Sequence, residues 1–239
     1  ARGKCSIRYI YNQTYDPATK TISFYTGSLG VFGLATRKYS NLPFKRWEIH
    51  PMTDNNDQSV VMKLETQNVN IEFKVTNDGY TFKITHPRKV PFSGIETPIK
   101  INNLKTILSS INLNIFPEAD ASWYVTDTCE KHKAVEFHTY KSLAVYCLSH
   151  HFKSNVWNRW SHRRVALFDS RMTEQMKFRR LMVSPMRVAS VFVKEKCTDL
   201  DVVELEYEMD PQEQEVCMRN SNFKLVSNIF LLSSSLIFS

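Results

Sequence analysis

Apolar and polar residues alternate along three consecutive segments between Ser59 and Thr85. In the middle segment, Val69–Val75, every second residue is apolar, which is the period of a β-strand with one face in water. Asn77-Asp78-Gly79 is a turn signal after it, because glycine adopts positive φ without strain. The pattern predicts a three-stranded meander with one apolar face, lined by Val60, Met62, Leu64, Val69, Ile71, Phe73, Val75, Tyr80, Phe82 and Ile84.

The preceding residues also have strand character. A turn at Asp16–Lys20 is predicted, in which Pro17 presets φ and Asp16 bonds the backbone beyond it. A sheet with one apolar face must be covered, and a second sheet is the simplest cover. We therefore predict a β-sandwich over residues 5–96, with Phe24, Phe32 and Trp47 in its core. Its upstream strands are Ser6–Tyr11, Thr21–Thr26, Gly30–Thr36 and Phe44–His50.

Helical spacing begins after this region. Thr97-Pro98 is an acceptable helix start, and Leu104, Ile107, Leu108 and Ile111 follow at the spacing of one helix face. A second helix is predicted over Lys133–Lys153, and strands over Phe178–Val183 and Arg187–Val193. One side of the second helix would carry Phe137, Tyr140, Ala144, Cys147 and Leu148.

The predicted class is thus α+β. An N-terminal antiparallel β-sandwich is followed by a mixed helix and strand region over 97–196, and then by an acidic linker and apolar tail over 197–239. The tail, Leu225–Ser239, has no charged residue. It is shorter than the roughly 20 apolar residues of a membrane span and is rich in serine. This favours a terminal strand or an alternative transcript end over a tail anchor.

Composition is that of an ordinary folded protein, with 42% hydrophobic and 23% charged residues in 239. The chain starts at Ala1 and enters a strand-like segment almost at once, which predicts a fragment of a longer chain. Five cysteines lie far apart, without the paired spacing of a disulfide framework or zinc site. We expect buried free thiols in a reducing compartment.

The net charge of +7 is unevenly distributed. Eleven Lys/Arg and three acids occupy Lys153–Lys196, whereas Cys197–Cys217 holds eight acids and no Lys/Arg. A basic surface attracts nucleic acid, an anionic membrane or the acidic outer surface of tubulin. A solvated face, or mutual neutralisation of the two blocks, is the simpler alternative. The candidate partner-binding residues are Arg159, Arg163, Arg164, Arg179 and Arg180.

Two tryptophans lie inside this basic block, in the sequence WNRWSHRR. Trp157 and Trp160 are three residues apart and share one side of a helix or helix end. We interpret them as packing residues whose basic neighbours point outward, with a platform for stacking bases as the alternative.

No catalytic, cofactor-binding or metal-binding set is predicted. Cys147 and His151 share a helix face near His150, but further zinc ligands are not apparent, and an amphipathic helix explains them. No phosphate-cradling GxxxxGK[ST] motif is present. GSLGVFG lies between strand-like segments with no helix after it, so its glycines are interpreted as turn or bulge residues. We expect a protein that is not an enzyme.

The segment Thr21–Pro51 carries a family resemblance. Its SFYTGSLGVFGL strand pair and its NLPFKRWEIHP stretch resemble the C-terminal part of the cancer-susceptibility-candidate-one proteins, also called the axonemal dynein intermediate chain seven family. The likeness continues more loosely to about Val193 and ends after about Cys217.

The resemblance implies a role in motile cilia. Members of the family are associated with dynein and tubulin, and an algal relative is an intermediate chain of an inner dynein arm. The expected function is therefore a non-catalytic accessory subunit of an axonemal inner dynein arm, in the cytoplasm and ciliary axoneme. Its partners would be axonemal dynein subunits and tubulin, with no nucleic acid and no membrane. The alternative is a nucleic-acid or anionic-surface binding module that uses the Lys153–Lys196 block.

Overall fold

The computed structural model describes residues 6–34, 37–52, 58–87, 92–118, 120–125, 130–193, 202–205 and 223–236. It divides the chain into two units, Ala1–Arg37 and Lys38–Ser239. Each unit has its own sheet, of two and ten strands respectively.

The first unit contains an antiparallel hairpin of β1 (Ile10–Asp16) and β2 (Thr21–Thr26). The predicted turn is confirmed. The Asp16 carboxylate accepts hydrogen bonds from the Thr19 hydroxyl at 2.6 Å and the Ala18 amide at 2.9 Å. These bonds hold the pKa of the Asp16 carboxyl below its usual value. The first strand begins four residues later than predicted, at Ile10 rather than Ser6.

The predicted strand Gly30–Thr36 is wrong over its described part, since residues 30–34 have no regular structure. Phe24 and Phe32 are 37% and 45% exposed, so the prediction that they anchor a core is also wrong. Their rings contact each other instead, at 5.2 Å between centroids. A two-stranded hairpin is too small to bury an aromatic face by itself.

The second unit is built on an antiparallel sheet of ten strands. Its order is β12-β11-β10-β9-β8-β3-β4-β5-β6-β7. The strands are β3 (Arg46–Met52), β4 (Ser59–Glu65), β5 (Asn70–Val75), β6 (Tyr80–His86), β7 (Gly94–Ile99), β8 (His151–Ser154), β9 (Ala166–Arg171), β10 (Arg179–Val183), β11 (Val188–Val193) and β12 (Val202–Leu205).

The predicted meander is confirmed as β4, β5 and β6. Its apolar positions all point to the same side and all are buried, with Val60, Phe73 and Val75 fully inaccessible. Gly79 joins β5 to β6 with φ at +142°, and a Cβ there would collide with the Ile99 carbonyl. Glycine is therefore required at this turn.

Helices, rather than a second sheet, cover the apolar face. They are α1 (Ile101–Ser110), α2 (Lys133–Tyr146) and α3 (Phe223–Leu236). Leu104 and Leu108 of α1, Leu143 of α2 and Ile229 of α3 belong to one core cluster with the meander. The α+β class is confirmed in this coarse form, but the β-sandwich over 5–96 is not. Its strands divide between the hairpin and part of the ten-stranded sheet.

The second helix is shorter than predicted. It ends at Tyr146, whose carbonyl accepts from the amides of Ser149 and His150, and the chain then enters β8. Of the residues predicted to share one side of this helix, Tyr140, Ala144 and Cys147 are buried, but Phe137 is 52% exposed. Pairing of β8 with both β3 and β9 overrides the helical pattern in this stretch.

The apolar tail is helical, so the predicted terminal strand is wrong. Leu225, Ile229 and Leu232 of α3 are fully buried at the i, i+4 and i+7 spacing of one helix face. The Asn228 side-chain amide donates to the Thr76 carbonyl at 2.8 Å, and the Asn228 backbone carbonyl accepts from the Tyr80 hydroxyl at 2.8 Å. Among the described helices, none is long and apolar enough to cross a membrane.

Of the predicted acidic linker, residues 202–205 form β12 beside β11, and the rest lies outside the described residues. Strands from all three predicted segments, 5–96, 97–196 and 197–239, share the large sheet. The prediction that these three segments are separate domains stays a prediction.

We expect α3 to contribute strongly to stability. Ile229→Ala removes a fully buried side chain and should lower the free energy of unfolding by about 2–5 kcal/mol. Leu231→Ala is the matched control on the same helix, because Leu231 is 41% exposed, and should cost only about 0.5 kcal/mol. Urea unfolding followed by circular dichroism measures both, and equal effects would contradict the packing of α3.

Candidate docking surface

A short turn at residues 156–164, here called the Trp–Arg turn, carries the exposed aromatic and basic residues of the basic block. It starts with a 3-10 helix, Val156–Arg159. The Asn155 side chain caps this helix by accepting from the Trp157 amide at 3.0 Å. Its amide nitrogen also donates to the Asp169 carboxylate at 2.7 Å, which ties the cap to β9.

The two tryptophans project into solvent. Trp157 is 41% exposed and Trp160 is 73% exposed, so the prediction that they are packing residues is wrong. Trp157 belongs to the 3-10 helix, and Trp160 follows directly as its C-cap residue. The inward position is taken by Asn158, which is buried and accepts from the Leu167 amide at 2.8 Å.

A buried lysine holds the C-terminal end of the turn. Lys131 is 6% exposed. Its ammonium group donates to the Asn158 carbonyl at 2.7 Å and to the Ser161 carbonyl and hydroxyl at 3.0 and 2.6 Å. The carbonyls at a helix end carry partial negative charge, so a cation there is favourable. Lys131 lies in a polar stretch with no sequence signal for burial, and sequence reasoning missed it.

Arg159 ties the turn to a second part of the chain. It is half-buried, and its guanidinium donates to the Phe44 carbonyl at 2.8 Å, just before β3. Arg180 is half-buried too and pairs with Asp169 at 3.4 Å. These two candidate residues therefore have structural partners within the protein.

The remaining three candidates are exposed but are not together. Arg163 and Arg164 lie in the Trp–Arg turn, just before β9. The register of β9 and β10 puts Ala166 opposite Val183 and Ser170 opposite Arg179. At roughly 3.4 Å per residue, Arg179 is about 14 Å further along the strand pair. The candidate docking surface thus consists of Trp157, Trp160, His162, Arg163 and Arg164.

The cysteine and histidines considered as zinc ligands are separated in the structure. Cys147 is buried, its thiol donates to the Ala144 carbonyl at 3.0 Å, and burial raises its pKa. It is a buried free thiol as predicted, and the other four cysteines lie outside the described residues. His150 is stacked against Phe152 with 5.9 Å between ring centroids. Among the described residues, no group of three His, Cys, Asp or Glu side chains is arranged to hold a metal ion.

His151 instead faces His50 across strands β8 and β3. Their Nδ1 atoms are 3.1 Å apart, and the Glu48 carboxylate contacts His50 Nε2 at 3.0 Å. Burial lowers the pKa of His151, and the nearby His50 and Arg171 lower it further. Burial acts to raise the pKa of Glu48, but the hydrogen bond with His50 and the charge of Arg46 outweigh it, so that pKa is lowered.

The family model described as cancer susceptibility candidate 1 C-terminal matches residues 3–210 of the chain. The chain belongs to this family. The resemblance seen in Thr21–Pro51 is thereby confirmed, and the docking surface and the His50–His151 pair lie inside the match. Helix α3 lies beyond the residues that the family model matches. No curated protein matches the chain.

The histidine pair predicts a pH-dependent stability. Because the pKa of His151 is lower in the folded state, the unfolded state binds more protons below about pH 6.5. The free energy of unfolding should therefore fall as the pH drops from about 7 to 5.5. His151→Gln should reduce this slope, whereas His138→Gln, at an exposed position of α2, should retain it. Denaturant titrations at several pH values measure the slopes, and equal slopes for wild type and His151→Gln would contradict the assignment.

Proposed function

We propose that this chain is a non-catalytic docking module of an axonemal inner dynein arm in motile cilia. Membership of the cancer susceptibility candidate 1 family supports the proposal, since the family resemblance implies an accessory subunit associated with dynein and tubulin. The partners are dynein subunits and tubulin, and the place of action is the ciliary axoneme.

The observation that carries the tubulin part of the proposal is the exposure of Trp157 and Trp160 beside Arg163 and Arg164. Tryptophan and arginine are the residues that most often dominate binding energy at protein interfaces. Hydrogen bonds from Lys131 and Arg159 hold the turn before binding, which limits the entropy lost on association. The arginines favour an acidic partner such as the outer surface of tubulin.

Exposure of the same indoles also supports the alternative, a module that binds nucleic acid. Exposed aromatic rings next to cations are used to stack single-stranded bases. The family membership favours ciliary protein partners over nucleic acid. Microtubule co-pelleting and fluorescence quenching by an oligonucleotide distinguish the two functions.

Microtubule co-pelleting tests the docking surface. Trp160→Ala should weaken binding about tenfold or more, since truncating a central interface tryptophan costs about 2 kcal/mol. The double variant Arg163→Glu and Arg164→Glu should reduce binding similarly and should reduce its sensitivity to salt. Lys141→Glu, a charge reversal at an exposed position of α2, is the matched control and should bind as wild type does.

The outcomes separate the parts of the proposal. If co-pelleting is unchanged by salt and by the turn variants, the proposed tubulin contact is overturned. Co-purification of dynein subunits with the full-length protein from ciliated tissue would still support the accessory role. Quenching of Trp157 and Trp160 fluorescence by an oligonucleotide at low salt, without microtubule binding, would favour the nucleic-acid alternative.

A further inference from the structure

A cavity of about 490 Å³ lies beside the C-terminal end of α2, away from the residues of the candidate docking surface. Its walls come from α2, from strands β8 to β11 and from the connection at residues 172–178. Phe152 and Phe168, which are 2% and 1% exposed, form part of its lining, so the cavity reaches the hydrophobic core. This volume is in the range of pockets that enclose small molecules.

The lining combines apolar surface with charge of a single sign. Met172 and Met176 add flexible side chains that adapt to the shape of a ligand. The cationic residues of the lining are Arg171, Lys177 and Arg179, and none of the described residues that line the cavity is acidic. Such a cavity is complementary to a molecule with an apolar body and a negative head.

Arg171 has an unmet hydrogen-bonding group. Its Nη1 donates to the Glu174 carbonyl at 2.8 Å, and its guanidinium lies 4.6 Å from the centre of the Phe178 ring. Its Nε is buried and has no hydrogen-bond partner among the described residues. A buried donor without a partner is costly, more so in a charged group, so the surrounding protein stabilises this guanidinium incompletely.

Phe178 keeps the guanidinium in place. Lys153 lies 3.9 Å from the ring centre and Arg171 also contacts the ring, so two cations share one aromatic side chain. Lys153 is itself paired with Asp169 at 3.8 Å, and no such carboxylate pairs with Arg171 among the described ion pairs. The arginine at the cavity wall is thus oriented while its charge is left without a carboxylate partner.

We propose that this cavity binds an amphiphilic monocarboxylate, with the carboxylate on Arg171 and the hydrocarbon body against Phe152, Phe168 and the two methionines. An aliphatic carboxylate matches two features of the site: it supplies negative charge for the cationic wall and an apolar body for the interior. A flat protein surface would not reach the buried phenylalanines.

Isothermal titration calorimetry of the full chain with decanoate, below its micelle concentration, tests the proposal. Decanoate should bind, whereas decanol, the same body without charge, should bind at least about tenfold more weakly, because it lacks the charge-assisted hydrogen bond to the arginine. Acetate, the head without the body, should not bind measurably. Arg171→Met should weaken decanoate binding at least about tenfold.

A second variant keeps the test informative if Arg171→Met does not fold. Lys177→Glu changes an exposed residue of the same lining and should weaken decanoate binding, whereas Lys83→Glu, an exposed position on β6 outside the cavity, should not. Equal affinity for decanoate and decanol, or equal binding by wild type and Lys177→Glu, would overturn the proposal. Binding of an acidic peptide in place of decanoate would overturn it too, in favour of a partner's acidic side chain.

Discussion

The pairing of β3 with β8 is the interaction on which the rest of the second unit depends. It is short, with Glu48 opposite Lys153 and Ile49 opposite Phe152. It nevertheless joins the strands β3 to β7 to the strands β8 to β12 in one sheet, across about a hundred residues of chain. Closing a loop of that length costs conformational entropy, which the contacts formed at the junction must offset. Burial of Ile49 and Phe152, which are 0% and 2% exposed, contributes the free energy that offsets the closure.

Both candidate binding features follow from this junction. The Trp47 amide donates to the Ser154 hydroxyl at 3.1 Å at the end of β8, and the Trp–Arg turn begins two residues later. Phe152 in the same strand is a wall of the cavity. His50 and His151 form the next cross-strand pair, so proton binding there acts on the contact that holds the two halves of the sheet together. Strand β8 therefore positions both the docking surface and the cavity.

The sequence predicts local structure well where the pattern is long and regular, and poorly where distant residues decide. The meander was predictable because its polar and apolar residues alternate without a break. Strand β8 was not, since three of its four residues fall within the predicted helix and form a strand only by pairing with β3 and β9. The helical cover was missed for the same reason: an apolar sheet face requires a second layer, but its pattern does not say which kind.

Helix α3 shows the ambiguity of an apolar run. Its buried residues fit helical spacing, but an uncharged, serine-rich stretch also fits a strand. The deciding contacts, from Asn228 to Thr76 and from Tyr80 to Asn228, join residues about 150 positions apart. Lys131 is a similar case for the docking surface, because the carbonyls that it caps come from a turn almost thirty residues away.

The basic block illustrates why a count of charges does not define a binding surface. Its arginines and lysines are divided by the sheet into groups with different physical roles. Lys153 and Arg180 share Asp169, so part of their charge is neutralised inside the fold. Arg171 is directed by Phe178 and lines a cavity, while Arg163 and Arg164 remain in solvent beside two indoles. Long-range attraction to an acidic macromolecule depends on Arg163 and Arg164, because solvent-exposed charge produces the field that a partner meets first. Recognition of a small anion depends instead on Arg171, where the surrounding apolar groups of the cavity strengthen each hydrogen bond.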